Sequence, residues 1–175
     1  MLSRPLFSLA FAAGLVLAAG IASAQQWRKH TYADDGFAVE FFGQVKIEPT
    51  AVEPGSKDRI IRSTNYLQDE GSAAYIVGAT LARYSVDFDK GVTASFDALQ
   101  CKTKTGDTLL NFPSGKAREI TGTDCTGDGS LAVEARYFQV GNWFYQVMAI
   151  IGKGQDKEQA RRFVTSFASV GGAKE

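Results

Sequence analysis

The chain has 175 residues, with 19 basic and 19 acidic side chains, one histidine and two cysteines. Balanced charge without a basic patch removes the electrostatic support that nucleic acid or an anionic membrane surface would need as a partner. A single histidine excludes an imidazole metal cluster, and nothing beyond the first two dozen residues is apolar for long enough to span a bilayer.

Residues 1–24 read as an export leader. Arg4 gives the positive start, Leu6 to Ile21 the apolar run, and Ala22-Ser23-Ala24 a small-residue cleavage site. There is no twin arginine and no cysteine at the cleavage point, so the expectation is a Sec-type signal cleaved after Ala24, without a lipid anchor. Residues 25–175 are then one soluble domain, periplasmic or secreted, large enough for a sizeable core. Losing Arg4 with the leader tips its charge slightly acidic.

After Trp27-Arg28-Lys29-His30, the turn Asp35-Gly36 precedes a first strand over Phe37 to Phe42. Pro49 to Gly55 is a loop with two prolines. Arg59 to Leu67 and Ala74 to Tyr84 form a hairpin around Asp69-Glu70-Gly71-Ser72, with Tyr75, Val77, Ala79 and Leu81 on one face. Past Gly91 the period changes. Val92, Phe96, Leu99 and Thr103 recur at helical spacing, which predicts a helix over Val92 to Thr103 stopped near Gly106. A turn at Pro113-Ser114-Gly115, a short strand over Lys116 to Thr121 and a Gly- and Asp-rich turn over Gly122 to Gly129 follow. Last, Asp156 precedes a helix whose Ala160, Phe163, Val164 and Phe167 make an apolar stripe, before a frayed tail from Gly171.

The densest apolar and aromatic run is Leu131 to Ile151, two strands joined by Gly141-Asn142. Glycine first suits a type II′ turn, because glycine takes a positive φ without strain. The register then pairs Val140 with Trp143, Phe138 with Tyr145, Arg136 with Val147 and Glu134 with Ala149. The other face pairs Gln139 with Phe144, Tyr137 with Gln146, Ala135 with Met148 and Val133 with Ile150; almost wholly apolar, it should meet a core. The first face is also apolar near the turn but carries Glu134 and Arg136. A sheet wetted on one side would alternate cleanly. These strands are expected to be central and covered on both faces, one more completely than the other. The order of elements implies an α+β fold, a central antiparallel β-sheet with helices on its faces.

Cys101 and Cys125, in a chain bound for an oxidising compartment, are expected to form a disulfide. The helical wheel places Cys101 opposite the Phe96–Leu99 stripe, free to reach a neighbouring turn. A redox-active pair would more often sit as C-x-x-C. His30 is expected to be a solvated side chain ahead of the first strand. Asp124 to Ser130 resembles the opening of a calcium loop, but its twelfth residue is Ala135 inside a strand, and Asp and Gly are also what a tight turn needs. No serine has a nucleophile-elbow context, and phosphate-loop and dinucleotide glycine patterns are absent from the sequence. Glu134 and Arg136, two residues apart on one strand face, read as a semi-buried ion pair or as a ligand contact in a cleft. Phe138, Tyr137, Trp143, Phe144 and Tyr145 read as core or as the lining of an apolar pocket. Asn142 and Trp143 at the hairpin tip offer the expected exposed aromatic contact for a partner, with Tyr145, Phe138, Arg136 and Glu134 behind it.

Asp35-Gly36-Phe37-Ala38-Val39-Glu40-Phe41, the helix over Phe96-Asp97-Ala98-Leu99, the run Tyr137 to Val147 and Arg162-Phe163-Val164-Thr165-Ser166-Phe167 together resemble small exported bacterial proteins of the PsbP-like kind. That fold is shared by the photosystem accessory protein PsbP and the Ran-binding nuclear factor Mog. The chain departs from the pattern at Phe41-Phe42-Gly43, where related chains often have Phe-Pro-Gly. The resemblance implies an α/β/α sandwich around an antiparallel sheet, action by binding as an accessory subunit, and no catalytic set. A photosynthetic role does not follow from a shared fold. The expectation is therefore a non-enzymatic accessory protein that binds another protein and needs no cofactor. The alternative is a carrier of a small apolar ligand in a pocket on the aromatic sheet face, and the third reading is an enzyme of unrecognised type.

Overall fold

The computed structural model describes residues 26–126, 129–152 and 154–171. The expected leader and the tail beyond Gly171 lie outside them. Within the described residues ten strands and two helices run in the order β1 (Arg28–Tyr32), β2 (Phe37–Phe41), β3 (Lys46–Pro49), β4 (Ile60–Asp69), β5 (Ala73–Ala82), α1 (Phe88–Asp97), β6 (Thr103–Leu110), β7 (Lys116–Cys125), β8 (Leu131–Val140), β9 (Trp143–Gly152), α2 (Lys157–Thr165) and β10 (Ala168–Ser169). Seven strands form one antiparallel sheet in the order β3-β4-β5-β9-β8-β7-β6, and β1, β2 and β10 form a second, smaller one with β2 in the middle.

The hairpin β8–β9 sits at the centre of the large sheet in the register its turn dictates, from Val140 opposite Trp143 to Ala132 opposite Ile151. Gly141 carries the positive φ, 56°. Both faces are covered, and the better-covered one carries Glu134 and Arg136. There the small sheet and α2 bring Phe37, Phe41, Phe163 and Val164 onto Tyr75, Val77, Tyr145 and Val147. On the other face α1 sets Phe88, Val92 and Phe96 against Ile120, Val133, Tyr137 and Phe144, leaving Gln146, Met148 and Ile150 half-buried.

Several expectations are corrected. The helix expected over Val92 to Thr103 runs from Phe88 to Asp97. Asp87 caps it, its side chain accepting from the Lys90 N–H, and Gly91 lies inside it. The chain leaves through Gln100 at φ 51°, and residues 103–110 become the outermost strand, so Cys101 lies beyond the helix end and Gly106 within β6. In β6 one extra residue, Thr105, bulges between Lys104 and Gly106, which lets Lys104 Nζ reach Asp107 at 3.0 Å. A strand precedes the expected first one, and His30 belongs to it: paired with Val39, half-buried, and edge-on to Phe41, it is not a solvated side chain. Lys46–Pro49 pairs with β4 as the opposite edge, and Pro54 opens a 3-10 turn in the expected loop. The strand at Lys116 continues to Cys125.

The small sheet is pinned to the large one by polar groups as well as by rings. Asp35, 5% exposed, accepts from the Tyr66 hydroxyl and pairs with Arg62, and its backbone carbonyl accepts from the Tyr145 hydroxyl at 2.8 Å. Burial pushes both tyrosine hydroxyls well above their usual range, so each stays a proton donor at any physiological pH. Gln68, fully buried, accepts from the Phe42 and Gly43 N–H groups at 2.8 and 3.0 Å and so holds the end of β2. In α2 the expected stripe is buried as Ala160, Phe163 and Val164, with Phe167 just past its end.

Candidate functional site

The hairpin tip is not an exposed aromatic. Trp143 is 3% exposed, stacked on Tyr145 with ring centroids 5.6 Å apart, and the Arg62 guanidinium lies 5.1 Å over its ring. The β4–β5 hairpin alongside covers it, and the Ala82 N–H donates to the Asn142 carbonyl at 3.0 Å. Phe138, Tyr145, Tyr137 and Phe144 are buried as well. Phe138 stacks on Phe167 at 4.3 Å, and Tyr137 is fully enclosed beneath α1. Phe138, Tyr137, Trp143 and Tyr145 fill space between layers and enclose no pocket among themselves, whereas Phe144 also borders open space on the α1 face.

Glu134 and Arg136 do not pair with each other. Arg136 lies opposite Glu119 on β7 and donates to it at 2.7 Å, while Arg161 of α2 donates to the second Glu119 oxygen at 2.6 Å. Burial alone would raise the pKa of Glu119, but Arg161 and Arg136 together hold it below the usual carboxylate value. Glu134 is left with one buried oxygen that has no hydrogen-bond partner, and burial raises its pKa. Residues two apart on one strand share a face, but the directly opposite residue on the neighbouring strand stands closer.

Cys101 and Cys125 are disulfide-bonded. The bond lies against Gly122, where a Cβ would come within 3.0 Å of Cys101 Sγ and 2.9 Å of the Phe96 ring, so β7 requires glycine there. The carbonyl of Leu99 accepts from the Thr126 N–H at 3.0 Å, a second tie across the same junction. Of the calcium-loop look-alike, Asp124 and Thr126 take positive φ values of 55° and 56°, Gly127 and Asp128 lie outside the described residues, and Ala135 is fully buried in β8. Among the described residues no three metal-ligating side chains converge, and no helix is long and apolar enough to cross a membrane.

What sequence reasoning missed is a cleft of about 670 Å³ on the α1 face, where the helix leaves the β4–β5–β9 half of the large sheet open. Its floor is Thr80 and Ala82 of β5 with Phe144 and Gln146 of β9. One wall is Val86 and the first turns of α1; the other is Ser56, Arg59 and Ile60 ahead of and at the start of β4. The Val86 carbonyl accepts from Gln139 Nε2 at 2.8 Å, which fixes the approach to the helix. Ser63 and Thr80 join hydroxyls at 3.0 Å in the floor, and Ser95 donates to Gln146. Tyr84, 67% exposed, stands at the rim. The available signal was small residues at Ala82, Gly91 and Ala94, where a closed layer would carry large ones.

No family model matches the sequence, and no curated protein matches it. The architecture defines a class nonetheless: the chain has a PsbP-like fold. It is similar to the solution structure of cyanobacterial PsbP (CyanoP) from Synechocystis sp. PCC 6803, with a TM-score of 0.57 and 11% identity, covering 89% of this chain and 99% of that one. A crystal structure of a protein from Bacteroides thetaiotaomicron VPI-5482 also matches, with a TM-score of 0.47 and 8% identity over 84% of this chain and 50% of that one.

Proposed function

We propose that this chain is a non-enzymatic accessory protein that works outside the cytoplasm by binding another protein. The observation that carries the reading is how the polar groups are spent. Asp35, Tyr66 and Tyr145 tie the two sheets together, and Glu119 joins β7, β8 and α2. Ser166 donates to the Phe163 carbonyl while accepting from the Glu40 N–H. His30 is packed between Tyr32 and Phe41, its pKa lowered by burial and by Arg28. Asp35, Glu119 and Ser166, which could act as acid, base or nucleophile, are instead fastening layers.

Two further facts support the reading. The fold is PsbP-like, and the resemblance read from the sequence implies action by binding. The Cys101–Cys125 disulfide suits an oxidising compartment, which agrees with the export leader expected at residues 1–24. The test is to return a tagged copy to its own host, cross-link in the cell and recover the protein from the periplasm for intact mass analysis. The expected result is a chain starting at Gln25 and cross-linked in fixed proportion to one other polypeptide. Recovery from the cytoplasm with the leader attached, or a bare monomer after efficient cross-linking, would overturn it.

A further inference from the structure

The cleft beside α1 has a chemical character of its own. Arg59 and Lys90 reach its mouth from opposite walls, with Asp87 the acidic residue of the lining. Asp87 is engaged: its carboxylate accepts from the Lys90 N–H at 3.2 Å as helix cap and lies 3.4 Å from Lys90 Nζ. The chain as a whole is neutral, so this net positive mouth is a local feature and not a reflection of overall composition. Among the described residues the Arg59 guanidinium makes one long bond, 3.4 Å to the Gly55 carbonyl, at an exposed position that leaves the rest of its fork available.

Below the mouth the lining is kept small. Ala82 in the floor and Ala94 in the wall leave a slot that larger residues would fill. Gly91 sits inside α1, where glycine weakens a helix relative to alanine. A Cβ there would stand 3.4 Å from the Phe144 ring, in contact with the cleft floor, so the first turns of α1 lie directly on that ring beside the slot. Val86, Ile60 and the ring of Tyr84 complete an apolar flank, and Thr80, Ser56 and Ser85 supply hydroxyls. An apolar slot of this volume with a few polar groups and cations at one end matches the form of a small-molecule site.

We propose that this cleft binds a small amphipathic organic anion, its apolar body between Ala82, Ala94 and Phe144 and its carboxylate or sulfonate between Arg59 and Lys90. The site goes beyond the accessory role and does not depend on it: the test uses the purified protein alone, so failure here leaves partner binding standing, and the reverse holds too.

The probe is anilinonaphthalene sulfonate, titrated by fluorescence against the folded disulfide-bonded protein, with the uncharged phenylnaphthylamine in parallel. Saturable one-to-one binding of the sulfonate is expected, weakened by salt and at least about fivefold tighter than the uncharged analogue. Lys90→Gln and Arg59→Gln should each weaken it by about fivefold, and Ala94→Phe, which fills the slot from an exposed helix position, by about tenfold or more. Leu109→Gln, on the far edge of the sheet, should leave it unchanged. Each variant's thermal melt is recorded, and the two charge variants carry the test if Ala94→Phe melts early. No saturable binding, equal affinity for the uncharged analogue, or binding indifferent to Lys90→Gln and Arg59→Gln would each overturn the proposal.

Discussion

The two faces of the seven-stranded sheet are built from the same strands and reach different ends. On one face α2 and the small sheet lay Phe37, Phe41, Phe163 and Phe167 over the hairpin, and even its charged residues are drawn beneath a helix. On the other a ten-residue helix covers only part of the width, a disulfide fastens its far end, and the remainder is a cleft. The first face is where aromatic density signals packing. The second is where small residues and two exposed cations, Arg59 and Lys90, leave room for something else. Aromatic content is thus a poor guide to a binding site in this chain, because rings are what close a layer.

That contrast can be broken or sharpened by substitution. Trp143→Ala, on the closed face, should cost about 3–5 kcal/mol, read as a lower urea midpoint at unchanged slope; a cost below 1 kcal/mol would mean that the face is not closed there. Replacing both cysteines by alanine should cost about 3 kcal/mol, as the bond spans a sequence separation of 24 residues. It should also loosen the α1–β7 junction, seen as faster amide exchange at Thr126, whose N–H bonds to Leu99. Glu119→Gln should cost about 2 kcal/mol at pH 7 by leaving Arg136 and Arg161 without their shared anion. Because the folded pKa of Glu119 is depressed, its contribution is present above the unfolded value and lost as pH falls through the folded one, so the gap to wild type should close in acid. Met148→Ala, on the open face, should cost about 1 kcal/mol, well under the range for a fully buried methionine, because the residue is only half-buried. The smallest effect has the opposite sign. Glu134 has a raised folded pKa, so its ionised form opposes folding at pH 7, and Glu134→Gln should gain less than about 1 kcal/mol there and nothing below the unfolded pKa.

The parts legible in the sequence were those decided locally. A two-residue turn with glycine first sets a register, and every pair of the central hairpin follows from it. The Ala160, Phe163 and Val164 stripe of α2 is likewise written within its own nine residues. Where long-range pairing decides, the sequence was silent. Arg28-Lys29-His30-Thr31-Tyr32 and Lys46-Ile47-Glu48-Pro49 lack apolar alternation because they are outer strands, and their partners β2 and β4 make them strands. The position of α1 was misread because Val92, Phe96 and Leu99 keep helical spacing past its end, while Asp87 supplies the cap that sets its start. Arg136 meets Glu119 through the β7–β8 register, which passes an irregularity between Gly122 and Cys125 that no period reveals. Trp143 looks exposed from its place beside a turn, and only the fold brings Arg62 and the neighbouring hairpin over it.

The bulge at Thr105 has a consequence for the protein in a crowded compartment. An outermost strand offers a row of backbone donors and acceptors on which a neighbour's strand could lengthen the sheet without limit. In β6 the row is broken near its start, with Lys104 and Asp107 drawn together across the break. A second molecule meeting that margin finds the ladder interrupted at Thr105, which shortens the stretch of β6 on which it could extend the sheet.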